Sequence, residues 1–510
     1  MAPALPAHDT HHCTWRSYAE TLHAHTVKIE QELHELKRKV FGHQSEKMPS
    51  VHQELRRRRR RLSQDRAKRR SRKLQDRQRP VQTVVHHHLV PDAKRHCPSC
   101  GNTKLRNLGR GDSTSVLEYV PAHLVRHVHI RVRAVQTLGE RRPQKPRSLA
   151  AVGERLCCPC GSGIITAPSP DKVFDKSRYG PGLMAHIVTS KCADSMPHYR
   201  LAKRFARMGI RLPPSTLVNL FHRTAELLQP LTDRILSRIA ENDIVYADET
   251  PMPVIEHPHC KKGYLWTFVG EDFIGYTFSL SRSGAMPSRI LGDSRGTLVV
   301  DGYTGYNSVT TPKRRKRAGC WCHARRKFFK ALSTTPQATE AMGFIRDLYA
   351  IEYEALDLKI LGTRAHQRLR ASKSALVLQK FNTWLQEQRE THLPKGPLGQ
   401  AISYALKQWS ALTRFLGDAR ICLDNNISER ALRVAALGRK NFLFVGHEAA
   451  GQNMAGLYTL VMSCLFNEIN PQEYLADVLM RIQTHKASRL DELLPDLWHP
   501  PAEVAVLSTA

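Results

Sequence analysis

The sequence lacks a long apolar run. Its longest stretches, such as residues 456–466, fall short of the roughly 18 residues a spanning helix needs, which excludes an integral membrane protein. The first residues, MAPALPAHDT, have neither a basic start nor an apolar stretch, so no secretory signal is expected. Acidic residues are scarce: 46 Asp and Glu face 78 Lys and Arg, a formal net charge of +32. That excludes an acidic solvating chain and points to a polyanionic partner, most simply nucleic acid. A reducing, cytoplasmic setting is expected, so the 12 cysteines read as metal ligands or buried small residues rather than disulfides. What is present is ordinary for a chain that folds around cores, with 41% apolar and 24% charged residues. At roughly 100–200 residues per domain, 510 residues suggest three or four domains.

Residues 1–50 form a helical or coiled-coil segment. Leu22, Ile29 and Leu36 are spaced by seven, with Leu33 and Val40 four residues after the last two. This short seam suits either dimerisation or packing on the same chain. Residues 51–90 form a basic arm. Between positions 56 and 79 stand 14 Lys or Arg and two Asp, including Arg56, Arg57, Arg58, Arg59, Arg60, Arg61, Arg69 and Arg70. Such a block repels itself and binds phosphates in a salt-sensitive, sequence-tolerant way.

Residues 91–165 form a zinc-binding segment. Cys97 and Cys100 lie in HCPSCG, and Cys157 and Cys160 in LCCPCG. Two thiolate pairs at tight turns suit tetrahedral zinc, with Cys158 the spare. The 56 residues between the knuckles exceed a usual ribbon, and residues 139–155 read as an inserted loop. The alternation from Leu117 to Val135 reads as strands. Residues 166–232 read as three helices. The second buries Leu201 and Phe205, presents Lys203, Arg204 and Arg207, and ends at Gly209; Ser215 is expected to cap the third. A helix-turn-helix-like linker and a plain helical bundle are both compatible with this pattern.

From Asp243 the period becomes strand-like. IVYAD reads as a strand ending in Asp248, and GYLWTFVG with FIGYTFSL as a hairpin. TLVVD reads as a strand ending in Asp301, and GCWC as a strand entering a helix. Glu429, in LDNNISERALR, falls in the first turn of a later helix. The order strand-Asp, hairpin, strand-Asp, helix-Glu is that of an RNase H-like nucleotidyl transferase. Three carboxylates and one scissile phosphate balance two divalent cations, and oxygen donors favour Mg²⁺ or Mn²⁺. Each acid has a structural alternative. Asp248 can cap a turn before Pro251, Asp301 can open an Asp-Gly turn, and Glu429 can close a capping box on Asn426. Glu249 and Asp424 are competing acids.

The strings ADETP, VVDGYTGY, GCWCHARRKF, DNNISERALR, ALGRKNFLFVG and NEINPQEYLADVL resemble the DDE transposases of the insertion sequence 66 family, the TnpC type. The resemblance is densest from Asp243 to Ile482. Upstream, LKRKVFGHQSEK, CPSCG and the stretch from Tyr179 to Leu217 follow in the family's order. It implies that Asp248, Asp301 and Glu429 are the catalytic, Mg²⁺-binding acids. It also places His323, Arg325, Arg326, Arg430, Arg433, Arg439, Lys440 and Asn441 near that site, the basic ones as phosphate contacts. Arg433 also stands four residues after Glu429, where an ion pair on one helix face is the alternative.

The expected architecture is therefore a multidomain α+β chain. An RNase H-like α/β catalytic core (233–334 and 421–485) holds an all-α insertion (335–420) and ends in a tail (486–510). The expected function is metal-dependent cleavage at transposon ends and transfer of the 3′-hydroxyl into target DNA. Expected partners are DNA, a second copy of the chain to bring two ends together, and accessory proteins of the same element. A bacterial, nucleoid-associated protein follows. The alternative is a catalytically inactive or domesticated DNA-binding protein that uses only its zinc segment and arm; an RNA-binding protein would leave the ordered acids unexplained.

Overall fold

The fold is described from a computed structural model, which covers residues 82–87, 90, 92–97, 99–107, 113–120, 123–130, 155–157, 164–166, 172–174, 177–256 and 259–500. The heptad segment, the arginines of the basic arm, most of the 139–155 loop, Cys158 and Cys160 lie outside these residues.

Two small sheets come first. β1 (Gln82–His87) runs parallel to β4 (His123–Ile130), which pairs antiparallel with β3 (Ser113–Val120). The strands expected between Leu117 and Val135 are thus the β3–β4 hairpin. The second sheet holds β2 (Arg106–Asn107), β5 (Arg155–Cys157) and β6 (Ile164–Thr166) in the order β2-β5-β6.

Three helices follow: α1 (Pro181–Cys192), α2 (His198–Arg207) and α3 (Pro214–Glu241). α1 buries Leu183, Met184, Ala185, Ile187 and Val188 completely. A helix apolar all round belongs inside a core, and α1 shares one continuous apolar cluster with the residues of the main sheet. This segment is therefore woven into the core, which favours the bundle reading. The expected boundary at 232 falls inside α3. α2 does bury Leu201 and Phe205 and exposes Lys203, Arg204 and Arg207. Ser215 is not the cap: Pro213 holds that position and Pro214 opens α3, because a proline loses no hydrogen bond at a first helical position.

The main sheet has five strands in the order β11-β10-β7-β8-β9. They are β7 (Ile244–Glu256), β8 (His259–Val269), β9 (Ile274–Ser279), β10 (Gly296–Val299) and β11 (Arg315–Ala318). β7, β8 and β9 are antiparallel neighbours, while β10 runs parallel to both β7 and β11. Two expectations change here. β7 does not end at Asp248 but continues to Glu256, through Pro251 and Pro253. β10 pairs β7 only as far as Tyr246, so beyond that point one side of β7 has no β10 ladder and tolerates residues without an N–H. The last strand is RKRA rather than GCWC, which forms the junction into helix α5 (Trp321–Ala331). α4 (Ala285–Leu291) connects β9 to β10.

The insertion is all-helical: α6 (Ala338–Asp357), α7 (Arg364–Leu369), α8 (Ala375–Thr391), α9 (Pro397–Lys407) and α10 (Trp409–Leu412). Its aromatic centre is Phe381, with Phe344 stacked at 5.1 Å and Trp321 of α5 at 6.0 Å. α11 (Asn426–Phe442), α12 (Glu448–Phe466) and α13 (Pro471–Arg481) complete the chain. α12 lies on β9, where its Thr459 accepts the Tyr276 N–H at 2.8 Å. Residues 482–500, after α13, pack against the rest. Leu493, Leu494 and Trp498 are buried, and Asp491 takes a bidentate contact from Arg234 at 2.6 and 2.9 Å. Among the described residues no helix is long and apolar enough to cross a membrane.

Candidate active site

Asp248 sits within β7, two residues beyond the last pairing with β10. Asp301 follows β10 on the neighbouring side of the same opening. Both side chains are half-buried. The Glu249 N–H donates to Asp248 Oδ1 at 2.9 Å, and the Tyr303 N–H to Asp301 Oδ1 at 2.9 Å. Asp301 does therefore shape the turn after its strand, with one oxygen; Asp248 lies in a continuous strand and caps no turn.

Glu429 arrives on α11, and the start of that helix is locked to the sheet. Asn425, 1% exposed, donates its side-chain amide to the Ala247 carbonyl at 2.8 Å. Its backbone N–H points at Cys320 Sγ at 3.3 Å, and the Trp321 N–H donates to the Leu423 carbonyl at 2.9 Å. The entry to α11 is thus pinned beside Asp248 and against the start of α5. The N-cap of α11 is Asn425, with no side-chain cap bond, so the capping box on Asn426 does not form.

The other two acids act on Asp248. Burial pushes the Asp248 carboxyl up to about 7; the Glu249 N–H opposes the rise, and the charges of Glu249, Asp301 and Glu429 add to it. A cluster of like charges held against desolvation is a recurrent mark of a functional site. Among the described residues no three His, Cys, Asp or Glu side chains are gathered around one metal-sized point. The acids are close enough to repel and not closed into a cage.

The competing acids are occupied. The Glu249 side chain, 3% exposed, takes Arg282 at 2.6 Å and the Tyr306 hydroxyl at 2.6 Å. Asp424 accepts the Tyr349 hydroxyl at 2.9 Å and the Asn426 N–H at 3.1 Å. Neither offers a free carboxylate. Arg282 also lies 4.0 Å from the Tyr303 ring centre, so it links Glu249 of β7 to the turn after β10. Arg282, Asn425 and Tyr306 carry the site's geometry and were not singled out from the sequence; Asn425 was legible only as a letter in DNNISER.

The expected phosphate contacts divide. On α5, His323 Nδ1 is 3.9 Å and Arg326 Nη2 3.6 Å from Glu429 Oε1, while Arg325 is exposed. Glu429 thus faces α5, and Arg433, exposed on α11, is left out of an ion pair with it. Arg430 and Lys440 are exposed along α11. Arg439 turns inward, donating to the Pro251 carbonyl and to Thr250 Oγ1 at 3.2 Å. Asn441 likewise holds the Ser195 carbonyl at 3.1 Å. These last two fasten α11 to β7 and to the α1–α2 loop. The arginines from Arg56 to Arg70 lie outside the described residues.

At the first knuckle the Gly101 N–H donates to the Cys97 carbonyl at 2.8 Å, and the Cys97 N–H to the Asn102 carbonyl at 2.9 Å. Gly101 has φ +71°, a conformation glycine adopts without strain. Cys97 is buried and Cys100 exposed. β2 leaves this knuckle, and β5 pairs with it so that Cys157 lies opposite Arg106. The chain thus brings Cys157 back to the strand that follows the first knuckle despite the long gap. Cys160 lies outside the described residues.

Residues 176–453 match the Transposase IS66 family, residues 459–495 the IS66 C-terminal element, and residues 94–134 the zinc-finger binding domain of transposase IS66. The first match contains all three acids; the last contains Cys97 and Cys100 and stops short of the 139–155 loop. Similar proteins include two from Sinorhizobium fredii, both described as uncharacterized. The protein y4hP is 30% identical over 468 residues, 85% of this chain and 80% of the relative. The protein y4jD is 32% identical over 431 residues, 80% of this chain and 79% of the relative.

Proposed function

The chain belongs to the IS66 family of transposases, and on that premise we propose that it cuts the ends of its insertion sequence and joins them to target DNA. Asp248, Asp301 and Glu429 are the catalytic acids of an RNase H-like core. The observation that carries this reading is the sheet order β11-β10-β7-β8-β9, with β10 parallel to β7. It sets Asp248 on β7 beside Asp301, which follows the adjacent strand β10, and Asn425 brings Glu429 to the same opening.

The donor chemistry fits divalent cations. Burial raises the Asp248 carboxyl, and the charges of Glu249, Asp301 and Glu429 add to the rise, so a bound cation would relieve it. Asp248, Asp301 and Glu429 would hold Mg²⁺ or Mn²⁺, which supplies Lewis-acid activation of the attacking and leaving oxygens when bound. The protein's own part is to position. Arg325, Arg326 and Lys327 on α5, with Arg430, Arg433 and Lys440 on α11, expose cations on the two helices that meet at Glu429. Phosphate contacts there would fix the DNA register, and the 56–79 arm would add sequence-tolerant grip. Hydrolysis adds the water oxygen to phosphorus and frees a 3′-hydroxyl. Joining exchanges one phosphodiester P–O bond for another, so no oxidant or nucleotide is consumed. Two ends must meet, so a homo-oligomer acts, together with any accessory proteins of the element. Cys97, Cys100, Cys157 and Cys160 are the zinc ligands of the end-binding segment.

The test is cleavage and joining of a DNA carrying the element's end, with Mg²⁺ and the element's other proteins supplied. Asp301→Ala and Glu429→Gln should abolish cleavage and leave end binding intact. An intact protein that binds and never cuts would instead be a DNA-binding relative with an idle acid cluster.

A further inference from the structure

The insertion reaches the acid edge. Its helix α9 packs on α5 and carries Tyr404 to the backbone just after Asp301. A methyl group at Gly302 would stand 2.7 Å from Tyr404 Cε2 and 3.3 Å from its oxygen, so glycine in the DGYTGY string makes room for this ring. Lys327 of α5 also reaches the ring, its Nζ 4.7 Å from the ring centre. Lys327 lies one residue beyond Arg326, which faces Glu429. The ring therefore meets both the backbone just after Asp301 and a side chain of the helix that faces the third acid. The hydroxyl lies at the Gly302 edge of the ring. It meets the Gly302 amide and feels the charges of Asp301 and Arg317, and no described side chain hydrogen-bonds it.

Resting on the transposase reading above, we propose that Tyr404 is a catalytic residue supplied by the all-α insertion, its hydroxyl donating a hydrogen bond to a non-bridging oxygen of the scissile phosphate. The ring sets the direction of that donor, and Lys327 keeps the ring in place while adding positive charge beside the phosphate. The insertion is then part of the active site rather than a distant buttress. A neutral donor suits this spot. It sits beside Asp301 without pairing with it as an arginine would, and so leaves that carboxylate open for a cation.

The experiment compares wild type, Tyr404→Phe and Asp301→Ala in single-turnover cleavage of end DNA with Mg²⁺. End binding and thermal melting are measured on the same preparations. Tyr404→Phe keeps the ring against Gly302 and Lys327 and removes one oxygen. It should slow cleavage about 10- to 100-fold, the worth of one hydrogen bond to a charged oxygen, with binding and melting unchanged. A phosphorothioate at the scissile linkage adds a readout that a structural role would not move. The diastereomer that replaces the oxygen contacted by Tyr404 should lose part of its extra slowing in the Phe variant. Wild-type cleavage by Tyr404→Phe overturns the proposal. So does a slowing that tracks a lower melting temperature or weaker binding, or one that leaves the diastereomer ratio untouched. Cleavage that survives Asp301→Ala would instead sink the transposase reading of the acids, whatever Tyr404 does.

Discussion

Asn425 offers the sharpest probe of how the site is assembled. It is 1% exposed, and its amide donates to Ala247 at 2.8 Å, where β7 has parted from β10. Asn425→Ala removes that donor and leaves a carbonyl facing a space that the protein no longer fills. A buried acceptor left unpaired costs about 1–3 kcal/mol. At roughly 2–4 °C per kcal/mol for domains of about 150–250 residues, the melting temperature should fall by no more than a few degrees in this larger fold. The effect on chemistry should be far larger. The bond holds the start of α11 beside Asp248, and Glu429 is one helical turn further on. A shift of about 1 Å in a positioned group can cost about 100-fold in rate. Single-turnover cleavage of end DNA should therefore drop by about two orders of magnitude while the fold persists and end binding holds. Asn425→Asp, which when ionised cannot donate, should behave alike. If Asn425→Ala cleaves within about threefold of wild type, the other contacts of α11 suffice to place Glu429 and the argument from this hydrogen bond is wrong.

Two further outcomes are expected. His198 packs edge-on to Phe221 at 5.1 Å, and burial, with the charges of Lys191 and His222, drives its imidazole down to about 3. The unfolded chain takes up that proton near pH 6.5 and the folded chain resists, so the contribution is neutral above about pH 6.5 and stability is lost as pH falls towards 3. His198→Phe should flatten the loss by up to about 2 kcal/mol at pH 5, read from denaturant melts at pH 7 and pH 5; parallel losses in both proteins would refute it. At the knuckles, purified protein should release one zinc per chain to a chromogenic chelator after thiol modification. Cys157→Ser should lose that zinc and Cys158→Ser keep it, and the reverse pattern would shift the register by one.

Much of the site was legible because its chemistry is local. An acid after an apolar strand stretch, a second one a hairpin later and a third in a helix's first turn are sequence patterns, although the first proved to lie inside its strand. The same holds for the hairpin of β8 and β9 and for the apolar insertion helices. What escaped were segments whose role is to serve a distant neighbour. β11 reads RKRA and hides from any apolar rule, because Arg315 is buried by donating to the carbonyls of Ala240, Asn242 and Thr297. Arg439 looked like a phosphate ligand and proved to fasten α11 to β7. The tail offered no readable role, yet its Asp491 holds α3 through Arg234.

The sequence by itself determined the charge, the candidate acids and the run of strands and helices, since these follow from residue type and period. It could not decide how far β7 runs, which acids stay open, or that Tyr404 meets Gly302. Those depend on contacts between residues about a hundred or more positions apart: Asn425 on Ala247, Arg326 on Glu429, Tyr404 against the strand end of Asp301. A hydrogen bond or a steric fit acts only over a few ångströms, and only the folded chain brings those distances about.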